Sequence, residues 1–201
     1  RQTQWMAGGS GLSWDFNSDY DYLDSEEIRQ AMAEIAQADG PLDVVFYDVC
    51  LMGMVEVAYQ IKDYASFFVS SQNIGWAPLG PEGRYVRTVQ GIKAQDKPRD
   101  VAQLLVDAYA QAMAPDLHPF TISAIDLTTL VTLTEALNTL AATITQTLPI
   151  TDQIASMRYV YSQTQKLDYD SDFHIEPDRD GFVDLYDLVL KMTQHYTNTE
   201  V

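Results

Sequence analysis

An α/β fold with a narrow, mostly parallel sheet and helices on both of its faces is what this sequence predicts, on three observations. Short apolar runs rich in β-branched and aromatic residues, such as Val44-Val45-Phe46-Tyr47, are bracketed by turn residues, as buried parallel strands are. Longer stretches with apolar residues three and four apart alternate with those runs, as crossover helices do. Strands are few against helices, and a parallel sheet must be covered on both faces.

Taken in order, residues 1–22 are rich in Gly, Ser, Asn and Asp and read as a long surface loop. Asp24 with Glu27 three residues on makes a capping box, after which Ile28, Met32, Ile35 and Ala36 give a helix one apolar stripe. Gly40-Pro41 ends it. The strand centred on Val44 to Tyr47 follows, and from Met52 the period changes to a helical one through Met54, Val55, Ala58, Tyr59 and Lys62. Ala65 to Ser71 reads as a second buried strand, and the glycines and prolines of residues 73–85 as a loop. Val101, Leu104, Leu105, Ala108 and Ala112 predict a helix over 100–114, and the alternation from Phe120 to Ile125 a third strand. A long helix over 128–148 should turn Leu130, Leu133, Leu137, Leu140 and Ile144 inward, with further helices over 152–165 and from Asp184 to about Tyr196.

The chain has 201 residues, 46% apolar and 20% charged, a globular composition that suits one domain over 1–201. A formal net charge of -17 argues against nucleic acid or an anionic membrane as partner, because either would want basic patches. An acidic surface draws in basic substrates, or serves only solubility. One cysteine means no internal disulfide, so no disulfide marks the compartment. No apolar run approaches the roughly 18 residues that span a bilayer and the start is not signal-like, so no segment is expected to span a membrane or to target the chain. The opening residue is Arg1 rather than Met, so the chain is expected to be a processed or excised piece.

That one cysteine, Cys50, falls where the central strand gives way to the next helix, the carboxyl end at which open α/β sheets place their chemistry. A helix start favours an anion, and a rigid strand presents the turn, so a nucleophile is one reading. The other is a small buried hydrophobe.

The string Asp48-Val49-Cys50-Leu51-Met52, after four apolar residues and leading to Glu56, resembles the nucleophile region of the clostripain-like cysteine peptidases. Further similar segments follow in order: GLSWDFNSDYDYLDSEEI before it, FVSSQ, GRY, FTISAIDL and FVDLYDLVLKM after it. The resemblance implies a caspase-like three-layer sandwich whose N-terminal strands precede this chain. It also implies a secreted or cell-surface bacterial cysteine endopeptidase that uses a His–Cys dyad, cuts peptide or protein substrates after Arg or Lys, and is in some cases calcium-dependent or self-processed. In that family the histidine belongs to a His-Gly motif upstream of the cysteine, which His118, His174 and His195 do not match. Either the motif lies before Arg1, on an N-terminal segment or light chain, or it is WMAGG with Ala7 in the histidine's place. Under both, the chain alone is expected to be inactive.

Asp48 points from the strand end toward the same crevice as Cys50, and the resemblance makes it part of the pocket for a basic side chain. The competing role is to cap a helix starting near Cys50. Glu82 is a second pocket candidate, in a GPEGRY segment that departs from the family's pattern. For calcium, the acidic stretch near the C-terminus sets Glu176, Asp178, Asp180, Asp184 and Asp187 at positions 1, 3, 5, 9 and 12 of an EF-hand-like loop, with Gly181 at position 6. Alternatively Asp184 caps the last helix, with Leu185, Leu188 and Met192 packing inward. The rivals to a peptidase are a catalytically inactive binding module on the same fold, and an intracellular α/β domain with Cys50 buried and inert.

Overall fold

The computed structural model describes residues 11–15, 17–19, 21–76, 83–115, 118–147, 149–167, 174 and 181–198. They form a mixed α/β structure with a small sheet and many helices, in two compact units, Arg1–Val131 and Thr132–Val201.

The first unit opens with an antiparallel hairpin, β1 (Gly11–Asp15) and β2 (Asp21–Asp24), where the composition predicts a loop. Its turn is closed by the Asp21 N–H on the Ser18 carbonyl at 2.9 Å, with Asp19 at a φ of 52° that aspartate tolerates better than most residues. Polar turn residues signalled the reversal; they did not signal the strands beside it. Helix α1 (Ser25–Asp39) starts at the predicted capping box, with Asp24 accepting from the Glu26 and Glu27 N–H groups at 2.8 Å and the Glu27 carboxylate returning to the Asp24 N–H at 3.0 Å.

Strand β3 (Leu42–Tyr47) pairs in parallel with β4 (Ala65–Ser70), from Leu42 against Ala65 to Tyr47 against Ser70, across the short helix α2 (Val55–Ile61). Phe68 and Val69 in β4 are both fully buried and point to opposite faces. Phe68 joins a cluster with Met32 of α1 and with Val57, Ala58 and Ile61 of α2. Helix α3 (Arg84–Gly91) falls in a stretch where the sequence predicts no helix. Helix α4 (Pro98–Met113), which lies against β4, begins two residues earlier than its periodicity suggests, because Pro98 is preset for the first helical position. It buries Ala102, Ala108, Tyr109 and Met113.

The third strand is β5 (Ser123–Asp126), and it runs antiparallel to β4, with Phe67 opposite Asp126 and Ser70 opposite Ser123. The described main sheet, β3-β4-β5, therefore has one parallel and one antiparallel pairing instead of a mostly parallel set. Alternation along 120–125 gives a strand's period and not its direction.

A 3-10 turn, Leu127–Thr129, leads into α5 (Leu130–Thr147), which crosses from the first unit into the second. Leu130 is buried as predicted, but Leu133 is 41% exposed, and Leu137, Leu140 and Ile144 are only half-buried. The stretch Leu127–Gln146, 20 residues of mean hydropathy 1.2 with 11% of it buried, is long and apolar enough by length and composition to cross a membrane. Threonines, Glu135 and Asn138 punctuate it, so no uninterrupted apolar run flags it. Thr139 and Thr143 turn their hydroxyls back onto the Glu135 and Thr139 carbonyls at 2.9 and 2.8 Å, which hides part of that polarity.

The other described elements of the second unit are α6 (Ile150–Gln163), the two-residue strands β6 (Lys166–Leu167) and β7 (Phe182–Val183), which pair antiparallel, and α7 (Leu185–Asn198). Val160 and Met192 are buried in this unit, and the Tyr161 hydroxyl of α6 donates to the carbonyl of Gly181, the residue before β7, at 2.9 Å.

Candidate active site

Cys50 stands half-buried in the turn that leaves the carboxyl end of β3. Helix α2 begins only at Val55, with Met54 at its cap position and no side chain capping it, so neither Cys50 nor Asp48 sits at a helix start. Cys50 thus lies in the strand-to-helix connection as expected, but the helix start expected near the thiol is five residues further on, which removes the capping role from Asp48. What shapes the turn is its backbone. Leu51 holds a φ of 61°, a left-handed conformation that is a genuine outlier for a bulky residue, and of the kind that persists where surrounding structure enforces it.

The enforcing structure is the loop after β4. The Leu51 N–H donates to the Asn73 carbonyl at 3.0 Å and the Gly53 N–H to the Ser71 carbonyl at 2.7 Å. Gly53 must be glycine for this approach, since a Cβ there would lie 2.8 Å from the Ser71 carbonyl carbon. The loop is itself pinned by Thr121, whose hydroxyl oxygen accepts from the Gln72 and Asn73 N–H groups at 3.1 and 3.0 Å and lies 3.2 Å from the Ser71 hydroxyl. Gly75 then passes close behind the turn, and its carbonyl accepts a weak bond from the Cys50 thiol at 3.8 Å. The Tyr109 hydroxyl of α4 holds the next carbonyl, that of Trp76, at 3.0 Å. Burial pushes the Tyr109 hydroxyl up from its ordinary range, which keeps it a donor.

Asp48, two residues before the thiol, carries the charge of the site. Its Oδ2 accepts from the Arg84 Nη2 and from the Tyr85 hydroxyl. The Arg84 Cζ lies 4.8 Å from the Tyr85 ring centroid and 5.5 Å from that of Tyr109. The Tyr85 hydroxyl is shifted upward by desolvation first and by its bond to Asp48 second; the ring is exposed while its hydroxyl end faces the carboxylate.

The three histidines have other surroundings. His118 stacks on Trp76 at 4.3 Å and 16°, while His195 lies 5.2 Å from both Tyr159 and Tyr196. His174 is exposed. Ala7, Glu82, Glu176, Asp178 and Asp180 lie outside the described residues. Of the remaining calcium candidates, Asp184 accepts the Asp187 N–H at 2.7 Å in the first turn of α7, a helix-capping bond. Asp187 accepts the Gln165 N–H at 2.7 Å and faces Lys191 Nζ at 3.9 Å. Among the described residues no three His, Cys, Asp or Glu side chains converge as a metal site.

Sequence reasoning brought out Cys50 and Asp48 and missed Arg84, Tyr85, Tyr109 and the left-handed Leu51. Arg84 and Tyr85 are separated from Asp48 by a whole strand, helix and loop, and a tyrosine at helical spacing reads first as core.

No curated protein matches this chain. Among solved structures it is similar to a clostripain from Bacteroides thetaiotaomicron in complex with the peptide inhibitor BTN-VLTK-AOMK, at 20% identity and a TM-score of 0.60, covering 94% of this chain and 77% of that one. It is also similar to a cysteine protease from B. fragilis, at 21% identity and 0.51, covering 92% and 74%. A secreted cysteine protease from B. thetaiotaomicron in complex with an irreversible peptide inhibitor aligns at 19% identity and 0.57, covering 94% of this chain and 49% of that one. These likenesses support the fold, and the sequence profile of the clostripain family matches residues 5–200. A single cysteine on an enforced turn at a strand's carboxyl end, in a sequence that fits that profile almost end to end, places the chain in the clostripain family of cysteine peptidases.

Proposed function

We propose that the chain is the nucleophile-bearing portion of a cysteine endopeptidase that cleaves peptide bonds after arginine or lysine. Cys50 Sγ attacks the scissile carbonyl carbon, its proton passes to a histidine supplied by a segment outside these 201 residues, and the same histidine returns a proton to the leaving amine. Backbone N–H groups around Cys50 and of the histidine-bearing His-Gly loop hold the oxyanion, a role that needs geometry and no particular side chain. Asp48 receives the substrate's basic side chain. The fold is a caspase-like three-layer sandwich whose sheet is completed by strands outside this chain.

One observation carries the reading: Cys50 sits on a turn enforced by a neighbouring loop, two residues from a carboxylate only 20% exposed. The VLTK peptide bound by the B. thetaiotaomicron clostripain, basic at its last residue, supports a basic preference here. The test is alkylation of Cys50 by iodoacetamide, alone and with the histidine-bearing segment supplied, alongside cleavage of Arg and Lys reporter peptides. Reaction at Cys50, with cleavage abolished by Cys50→Ala, is the expected result. A thiol unreactive in both forms would sink it in favour of a catalytically inactive binding module, a reading that the internal occupation of Asp48 by Arg84 also suits.

A further inference from the structure

We propose that Arg84 is a specificity-determining residue of this site: its guanidinium is an internal occupant of the seat for the substrate's basic side chain, and substrate binds by displacing it. The inference rests on the peptidase reading for the role of Asp48.

The seat is defined by what fills it. A carboxylate stands at its end, and the rings of Tyr85 and Tyr109 lie 4.8 and 5.5 Å from the guanidinium carbon. Carboxylate plus aromatic face is the environment that holds a planar guanidinium best. Arg84 is well inside it, its side chain 11% exposed. A carboxylate already neutralised by a cation and bonded by the Tyr85 hydroxyl offers little to a second cation. The affinity for a basic side chain is therefore reduced to the fraction of molecules in which Arg84 has left.

Two features make that departure feasible. Arg84 reaches Asp48 through Nη2, while its buried Nε has no hydrogen-bond partner among the described residues, so the internal guanidinium is incompletely satisfied. A substrate guanidinium entering from the Cys50 side can present two donors side by side. Arg84 is also the first residue of an eight-residue helix whose cap position, Gly83, contributes no side-chain bond. Tyr85, Val86 and Val89 on the outer face of that helix are 54%, 42% and 72% exposed, so its first turn is held from one side only, by packing on α4, by the Thr88 hydroxyl on the Arg84 carbonyl at 2.8 Å and by the Tyr85 bond to Asp48.

The experiment measures second-order rates of Cys50 labelling by two peptidyl acyloxymethyl ketones that differ only in Arg or norleucine beside the reactive carbonyl, with iodoacetamide reporting the thiol itself. Proteins are the chain with its histidine-bearing segment, as wild type, Arg84→Gln, Arg84→Lys and Asp48→Asn. Arg84→Gln is expected to raise the Arg-to-norleucine rate ratio about tenfold, as for an occupant that fills the seat some nine-tenths of the time. Asp48→Asn is expected to abolish the preference. Should Arg84→Gln fail to fold by circular dichroism, Arg84→Lys, which keeps the charge but not the planar stack, still predicts a rise. A ratio unchanged or lowered in the Arg84 variants, with the wild-type preference intact and lost in Asp48→Asn, leaves the pocket standing and overturns the role of Arg84. No Arg preference in any variant, with iodoacetamide still labelling Cys50, overturns the pocket and this inference with it. No labelling by iodoacetamide overturns the peptidase reading first.

Discussion

At the scale of single residues, the site depends on positions that carry no chemistry of their own. Gly53→Ala would drive a Cβ into the Ser71 carbonyl and force the Cys50 turn off its support. The expected outcome is about 1–3 kcal/mol of lost stability by denaturant titration, together with a slower reaction of Cys50 with the ketone reagents. Tyr47, the last residue of β3, presents the opposite case. Its ring meets Phe68 edge-on at 5.0 Å, but its buried hydroxyl has no hydrogen-bond partner among the described residues, and burial pushes it up to about 12. The folded state thus holds this proton more tightly than the unfolded chain, in which tyrosine titrates near 10. Its contribution is fully present below about pH 10 and is lost as pH rises toward 12. Tyr47→Phe should be neutral or stabilising by up to about 1 kcal/mol at pH 7 and should flatten the alkaline loss, read from melting temperatures between pH 8 and 12. Cys50 and Asp48 were legible because an apolar strand ending in an acid and a lone thiol is a local pattern. Leu51 was not, because nothing in a leucine announces a positive φ that long-range bonds from Asn73 and Ser71 impose.

At the scale of elements, legibility followed local chemistry. The Asp24–Glu27 box marks the start of α1 because both partners lie within one turn. Asp24→Ala leaves the Glu26 and Glu27 N–H groups without their acceptor and should cost about 1 kcal/mol, with Asp24→Asn costing less. Helix α3 escaped notice for the converse reason: Gly83 provides no capping side chain, and its apolar residues are mostly exposed. In α5 the period of the leucines was plain, but a period says which residues share a face and not whether anything covers it. Hence Leu130 is buried while Leu133, on the same stripe, is not. The hairpin of β1 and β2 is a pairing between segments whose polar composition conceals it.

At the scale of the whole molecule, the α/β class was readable from alternation of periods, while the direction of β5 was not, since direction is fixed by where the chain has been. The core of the first unit is built on β4, which is hydrogen-bonded on both sides and carries fully buried Phe68. Phe68→Ala should cost about 3–5 kcal/mol, and a fall of that size in denaturant midpoint at constant slope would confirm that β4 anchors a cooperative unit. A cost below about 1 kcal/mol would place the core elsewhere.

The turn bearing Cys50 is held by acceptors on a different loop, which is in turn fixed by a hydroxyl some fifty residues further along the chain. Its geometry is therefore not portable. Asp48 to Gly53 grafted onto another sheet would bring the thiol and the acid but none of the carbonyls that set Leu51 left-handed. Conversely, drift at Ser71, Asn73 or Thr121 reaches the thiol without touching it, so the chemistry of this chain is inherited as three separate segments that must change together.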